Sequence, residues 1–231
     1  MKDLSYLKPR IDEANAVIDE ALKRFNNVGV GLSGGSDSVV LLNLVLPKKW
    51  DIPVIFVDTG YQFKETYDYI DMLERDWDLN LYRYKAELPK IDYYRNTYGE
   101  DTEDFYFNCC MYHKVSPMMQ AIRDLKLDAF MVGIRGVEHP ERAKETPIAY
   151  KPDMNPPHYR VHPLLYWNRQ EIIDYMLLYT IPVNPLYNQG YTSLGCIWCT
   201  KPNKDPNTHE RAGRARKREL IKHKLKEEGY N

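Results

Sequence analysis

The sequence predicts an α/β protein: an open, parallel, twisted sheet flanked by helices, followed by a loop-rich C-terminal part and a charged C-terminal helix. Three observations predict it. Short apolar runs, partly β-branched, alternate with segments whose apolar residues recur at helical spacing. The first such run ends in a serine-glycine turn that leads directly into an apolar helical segment. Strands separated by helices must pair in parallel, and a parallel sheet needs helices on both faces.

In chain order, residues 4–25 place Leu4, Leu7, Ile11, Ala14, Val17, Ile18, Ala21, Leu22 and Phe25 on one helical stripe among charged residues, which predicts an amphipathic helix. Val28-Gly29-Val30-Gly31-Leu32 is the first strand, and Val39 to Leu46 read as a buried helix. Ile52-Pro53-Val54-Ile55-Phe56-Val57 is the second strand and stops at Asp58-Thr59-Gly60. Residues 65–79 are helical, residues 80–84 a third strand, residues 116–125 a helix with Pro117 in its first turn, and residues 129–134 a fourth strand. Beyond Val137 the prolines 140, 147, 152, 156, 157 and 163 interrupt any regular pattern, so a loop-rich substrate lid is expected. Residues 168–179 resume as a helix with Asn168 as cap and Glu171 in capping-box position. Residues 210–228 predict a charged, solvated helix, with contact of Arg211, Arg214, Arg216, Lys217 and Arg218 to DNA or RNA as the alternative. One domain over 1–231 is expected, with 137–231 as its extension.

The 231 residues, 43% hydrophobic and 28% charged, suffice for one substantial core. A net charge of -1 advertises neither nucleic acid nor an acidic membrane as partner. No stretch nears the roughly 20 apolar residues that span a bilayer, and the opening segment has no signal-peptide character. A cytoplasmic protein is expected. Four cysteines in a reducing compartment point to metal or redox chemistry rather than disulfides.

The loop Ser33-Gly34-Gly35-Ser36-Asp37-Ser38 joins the first strand to a helix N-terminus. Paired glycines let backbone amides curl round an oxyanion, serine hydroxyls add donors, and the helix start favours negative charge. The spacing is neither that of a Walker A loop nor that of a dinucleotide fingerprint. It resembles the PP-loop, Ser-Gly-Gly-x-Asp-Ser, of the ATP pyrophosphatase and adenine nucleotide alpha-hydrolase-like superfamily. The resemblance implies a Rossmann-like fold of the PP-loop/HUP type, with ATP or a related adenine nucleotide held by Ser33, Gly34, Gly35, Ser36, Asp37 and Ser38. It also implies a role for Asp37 on Mg²⁺; the plain reading of Asp37 is a carboxylate satisfying the helix dipole.

Val57-Asp58-Thr59-Gly60-Tyr61-Gln62-Phe63-Lys64-Glu65-Thr66 lies on the same sheet rim, where ligands of open α/β sheets collect. The segment looks like Val-Asp-Thr-Gly-x-x-Phe-x-Glu-Thr of the sulfur-assimilation branch, which implies that Asp58 and Thr59 border the nucleotide; unaided, it reads as a turn.

Cys109 and Cys110 are adjacent, and Cys196-Ile197-Trp198-Cys199 supplies a second pair. Four thiolates suit an iron-sulfur cluster or zinc, with buried or redox-active thiols as a further alternative. Cys109-Cys110-Met111-Tyr112-His113-Lys114-Val115-Ser116-Pro117 resembles Cys-Cys-x-x-x-Lys-Val-x-Pro of the adenylyl- and phosphoadenylyl-sulfate reductase family, and the segment from Ser193 to Thr200 resembles its Ser-Ile-Gly-Cys-x-x-Cys-Thr. The resemblance spans residues 28–213 and implies a [4Fe-4S] cluster on Cys109, Cys110, Cys196 and Cys199. Lys114 would link cluster and substrate anion. Gly133, Arg135 and Arg142 match the family's Gly-x-Arg segment and later anion-holding arginines, whose planar fork suits phosphate or sulfate. Asp37, Lys114 and Arg135 are thus the catalytic candidates.

Two departures shape the expectation. The chain ends Lys226-Glu227-Glu228-Gly229-Tyr230-Asn231 without the family's Glu-Cys-Gly-x-His motif, and the PP-loop is intact. Both favour an ATP pyrophosphatase that releases pyrophosphate and activates an acceptor for sulfur transfer, like the corresponding component of DNA phosphorothioation systems, with a nucleic-acid substrate. The alternatives are a sulfonucleotide reductase fed by a partner's thiol or electrons, and a non-catalytic nucleotide sensor. A sulfur- or electron-donor protein and a homodimer are the expected protein partners.

Overall fold

The computed structural model describes residues 4–87, 90–203, 205 and 207–228; residues 229–231 of the chain end considered above lie outside them. Helix α1 (Lys8–Arg24) turns Ala14, Ile18 and Ala21 into the core, as its apolar stripe requires. There follow β1 (Val28–Gly31), α2 (Ser36–Val45), β2 (Val54–Asp58), α3 (Lys64–Asp76) and β3 (Leu81–Lys85), within a few residues of the predicted bounds. Then come α4 (Ile91–Tyr98), α5 (Glu103–Cys110), a π-helical turn (Met111–Val115), α6 (Ser116–Asp124) and β4 (Ala129–Met131). The C-terminal part holds α7 (Pro140–Ala143), β5 (Ile148–Lys151), β6 (His158–Val161), α8 (Arg169–Leu178), α9 (Arg216–Leu220) and α10 (Lys222–Glu227).

The six strands form one sheet of order β3-β2-β1-β4-β6-β5, parallel except for β5, which runs antiparallel to β6. Val30 of β1 faces Val54 on one side and Met131 on the other. Strand order reverses at β1, so the crevice beyond the carboxyl ends of β1 and β4 is a topological switch point, the usual ligand position in such sheets. Side chains alternate across the sheet: Val54, Phe56 and Met131 join α1, α2, α3 and α8 in the main core, whereas Ile55 and Phe130 pack under α6.

Two expectations are corrected. The proline-rich stretch contains β5 and β6; both escaped a hydrophobicity reading because β5 is a half-exposed edge and β6 buries the polar His158 and Arg160. The C-terminal charged helix is two short helices, and it is not simply solvated: Arg218 and Lys222 are each 1% exposed, because Ile221 and Leu225 pack against Phe105 and Tyr106 of α5. Asn168 and Glu171 do form the predicted capping box, with bonds of 3.0 and 2.6 Å. Among the described residues no helix is long and apolar enough to cross a membrane.

Candidate functional site

The loop between β1 and α2 is held open from behind. Ser38 Oγ donates to the Gly35 carbonyl (2.8 Å) and accepts from the Ser33 amide (3.1 Å). Gly34 takes φ +77°, and a Cβ there would lie 2.9 Å from Thr66 Cγ2. That is a left-handed position in a crowded place, which only glycine fills cheaply. Asn184 Nδ2 donates to the Gly34 carbonyl (3.2 Å), and the Ser36 amide donates to Tyr187 Oη (3.0 Å). Gly133, just past β4, abuts this loop: its Cβ would lie 2.6 Å from the Asp37 carbonyl oxygen. The glycine lets the strand end touch the start of α2.

Ser33, Gly35, Asp37, Ser38 and Gly133 line a cleft of about 230 Å³ at the switch point, together with Thr59, Lys114, Arg135 and Arg142. Ser36 and Gly34 support it from outside. Asp58 is not in the cleft wall. It accepts from the Gly60 amide (2.7 Å) and Tyr67 Oη (2.5 Å), so it pins the turn after β2 and leaves Thr59 to face the ligand side.

Asp37 is bound to Arg135, whose Nε lies 3.0 Å from Oδ1. Arg135 is wholly buried and also donates to Glu210 (2.7 Å), while Glu138 bonds Arg142 and lies 3.7 Å from Arg211. Burial, aided by the charge of Glu138 and opposed by Arg135, pushes the Asp37 carboxyl up to about 6. Burial would push Glu138 the same way, but Arg142, Arg135 and Arg211 hold it at about 2. The expected Mg²⁺ role of Asp37 finds no supporting donor set. The three carboxylates of the cleft each bond an arginine, and among the described residues no three of His, Cys, Asp and Glu are grouped to hold a metal ion.

Cys109, Cys110, Cys196 and Cys199 are brought into one apolar cluster with Ile91, Tyr94, Phe105 and Tyr106. The π-helical turn after Cys110 advances the chain so that Lys114 reaches the cleft wall from the same element. Cys196 is held far below the ordinary thiol range by a hydrogen bond from Cys199, against burial, with help from Lys114, Thr59 and Arg214. Cys199 and Cys109 are pushed up, Cys199 by holding that proton and by burial, Cys109 by burial and by the neighbouring Cys110. Cys196 Sγ lies 3.3 Å from Thr59 Oγ1, so one side chain touches both the cysteine centre and the cleft.

Sequence reasoning missed Arg169, Arg160 and Glu210. Arg169 donates to Ser36 Oγ (2.8 Å) from the first turn of α8, and Glu210 reaches Arg135 from the C-terminal segment. Nothing local marks either residue, because each acts across a long chain separation.

A family profile described as the phosphoadenosine phosphosulfate reductase domain matches residues 27–202. A phosphoadenosine 5'-phosphosulfate reductase of Buchnera aphidicola is 35% identical over 73% of this chain and 68% of its own length. An adenosine 5'-phosphosulfate reductase of Halalkalibacterium halodurans is 34% identical over 79% and 77%. A phosphoadenosine 5'-phosphosulfate reductase of Synechococcus is 31% identical over 91% and 94%. Among solved structures, phosphoadenylyl-sulfate reductase of Candida auris shares the fold with TM-score 0.66 at 20% identity, covering 85% of this chain and 97% of that one. The FMN adenylyltransferase of Candida glabrata does so with TM-score 0.70 at 24% identity, covering 88% and 68%.

Proposed function

The chain belongs to the phosphoadenosine phosphosulfate reductase domain family, and on that premise we propose that it binds an adenylyl-sulfate or phosphoadenylyl-sulfate in the cleft and releases sulfite with electrons from a partner thiol. The observation that carries this choice over cleavage of ATP is the pairing of Asp37 with Arg135. Expulsion of pyrophosphate needs a cation bridging phosphate oxygens, and the loop's acid is occupied by a guanidinium instead.

In this reading the Ser33 hydroxyl and the Gly35 amide hold the nucleotide's phosphate, with Ser38 bracing the loop behind them, while Lys114, Arg142 and Arg211 neutralise the sulfate end. Asp37 is a positioning residue that fixes the Arg135 fork. The bond from sulfur to the bridging oxygen breaks, two electrons reduce the sulfuryl group to sulfite, and a donor dithiol becomes a disulfide. The donor is a thiol-bearing protein, since this chain's four cysteines are gathered in one centre, three of them buried and Cys109 half-buried. Residues 137–231 complete the single domain by supplying Arg142, Arg169 and Arg211 to the cleft.

A [4Fe-4S] cluster held by Cys109, Cys110, Cys196 and Cys199 is the finer part of this reading: it is supported by four thiols sharing one apolar cluster beside Lys114, although as placed they form no group of three that could hold a metal ion, so loading would have to draw them together. Such a cluster would supply a polarisable, redox-active group next to the sulfate end. Anaerobically purified protein should then hold iron and sulfide in equal amounts; stoichiometric zinc without iron would remove this part of the reading.

The activity test offers each sulfonucleotide with a dithiol protein, and Mg-ATP in a separate reaction. Sulfite from the former is the expected product. Pyrophosphate from ATP with no sulfite from either sulfonucleotide would reverse the assignment.

A further inference from the structure

The cations of the cleft are strung along a chain of ion pairs. Glu138 bonds Arg142 and lies 3.7 Å from Arg211, and its other neighbour is Arg135, with Nη2 at 3.8 Å. Arg135 donates to Glu210 at 2.7 Å, and Glu210 in turn lies 3.9 Å from Arg169 Nε. Arg169 is thus at the opposite end of this chain from Arg142 and Arg211, with two carboxylates and a guanidinium between them.

The setting of Arg169 differs from that of the other three. Its side chain is 30% exposed, whereas those of Arg135, Arg142 and Arg211 are at most 11% exposed. The acids on its side of the cleft, Glu210 and Asp37, are both bonded to Arg135. Its own short hydrogen bond runs to a neutral oxygen: Nη1 donates to Ser36 Oγ at 2.8 Å. The Tyr187 ring lies 5.1 Å from the guanidinium carbon, and the Tyr187 hydroxyl accepts from the Ser36 amide, so one tyrosine fixes both the fork and the loop beside it. Arg169 opens α8 and Ser36 opens α2. A cation at a helix start opposes the helix dipole, so helix stability does not account for a guanidinium at this point.

An anion in the cleft does account for it. In adenylyl sulfate the phosphate and sulfate share one bridging oxygen and lie side by side. With the phosphate at the loop and the sulfate by Arg142 and Arg211, that ligand brings no charge to Arg169. Phosphoadenylyl sulfate carries a further phosphate on the ribose 3'-oxygen, set apart from the other two groups by the sugar. A planar guanidinium fork is suited to a phosphate dianion, and a hydrated one at the cleft edge is open to it.

We propose that Arg169 reads the ribose 3'-phosphate and so selects phosphoadenylyl sulfate over adenylyl sulfate. The inference rests on the nucleotide reading of the cleft and adds the residue that separates its two sulfonucleotides.

Calorimetric titration with AMP, adenosine 3',5'-bisphosphate and adenosine 2',5'-bisphosphate tests it, because these differ only in the ribose phosphate. Wild-type protein should bind the 3',5'-bisphosphate at least about tenfold more tightly than either of the others. Arg169→Gln should cost the 3',5'-bisphosphate at least about tenfold more affinity than it costs AMP. Arg169→Lys, which keeps the charge and loses the fork, should lose most of the preference. The ratio of kcat/KM for the two sulfonucleotides should fall in parallel. If Arg169→Gln does not fold, the wild-type series and Arg169→Lys still decide. Equal binding of AMP and the 3',5'-bisphosphate by wild-type protein, or a preference that both variants retain, would overturn the role of Arg169 alone. So would an equal loss for both ligands, which would confine Arg169 to supporting the loop, or equal binding of the two bisphosphates, which would reduce the effect to net charge. If wild-type protein binds neither these nucleotides nor either sulfonucleotide, the nucleotide reading of the cleft itself falls.

Discussion

Replacing Gly133 by alanine tests whether the contact between the end of β4 and the start of α2 sets the phosphate cradle. The new Cβ would lie 2.6 Å from the Asp37 carbonyl oxygen, 2.8 Å from its carbon and 2.9 Å from the Ser38 amide nitrogen. All three are backbone atoms, so no rotamer change relieves them. Restoring an ordinary contact of 3.4 Å needs the strand end and the loop to part by about 0.8 Å. Overpacking of this kind costs about 1–3 kcal/mol of stability. A shift near 1 Å in a binding constellation costs up to about a hundredfold in function. Gly29→Ala is the control. Its Cβ would lie as close, 2.7 Å from Leu127 Cδ1 and 2.8 Å from Ile55 Cδ1, but these are the far ends of flexible side chains and not the backbone of the loop. Denaturant unfolding and calorimetric titration with adenylyl sulfate should show both variants destabilised and only Gly133→Ala impaired in binding by tenfold or more. Unchanged affinity in a folded Gly133→Ala protein would refute the idea that this contact positions the cradle.

Lys222 is buried, and Nζ has no hydrogen-bond partner among the described residues. Burial first, then Arg142, Arg211 and Arg218, push its amine from 10.5 down to about 5. Between those values the unfolded chain binds one proton more than the native one, so this group makes stability rise with pH by about 1.4 kcal/mol per unit. Lys222→Met should therefore stabilise the fold by about 3 kcal/mol or more at neutral pH, with the advantage shrinking towards pH ~10; urea unfolding across pH that shows a constant difference would contradict this. Asp37→Asn strips the buried Arg135 of one carboxylate and should cost about 3 kcal/mol. It should also weaken sulfonucleotide binding equally with and without Mg²⁺; weakening seen only in the presence of Mg²⁺ would restore the metal role of Asp37.

What the sequence determined by itself was whatever depends on near neighbours along the chain. Short apolar runs and period-3.6 patterns placed four strands and the major helices, and the serine-glycine loop declared an anion site through its own turn chemistry. Asn168 and Glu171 announced a helix start because the two sides of a capping box are three residues apart. The tertiary structure alone decided the rest. It turned Asp58 away to hold Tyr67 and gave Asp37 to Arg135 rather than leaving it open. It also gathered two distant cysteine pairs against Thr59. Strand β6 stayed hidden because its inward residues, His158 and Arg160, are polar, and the charged tail misled because Arg218 and Lys222 are buried. A charge or polar group enters the interior only where partners from other elements offset its desolvation. Those partners are neighbours in space and strangers in sequence, so no local pattern records them.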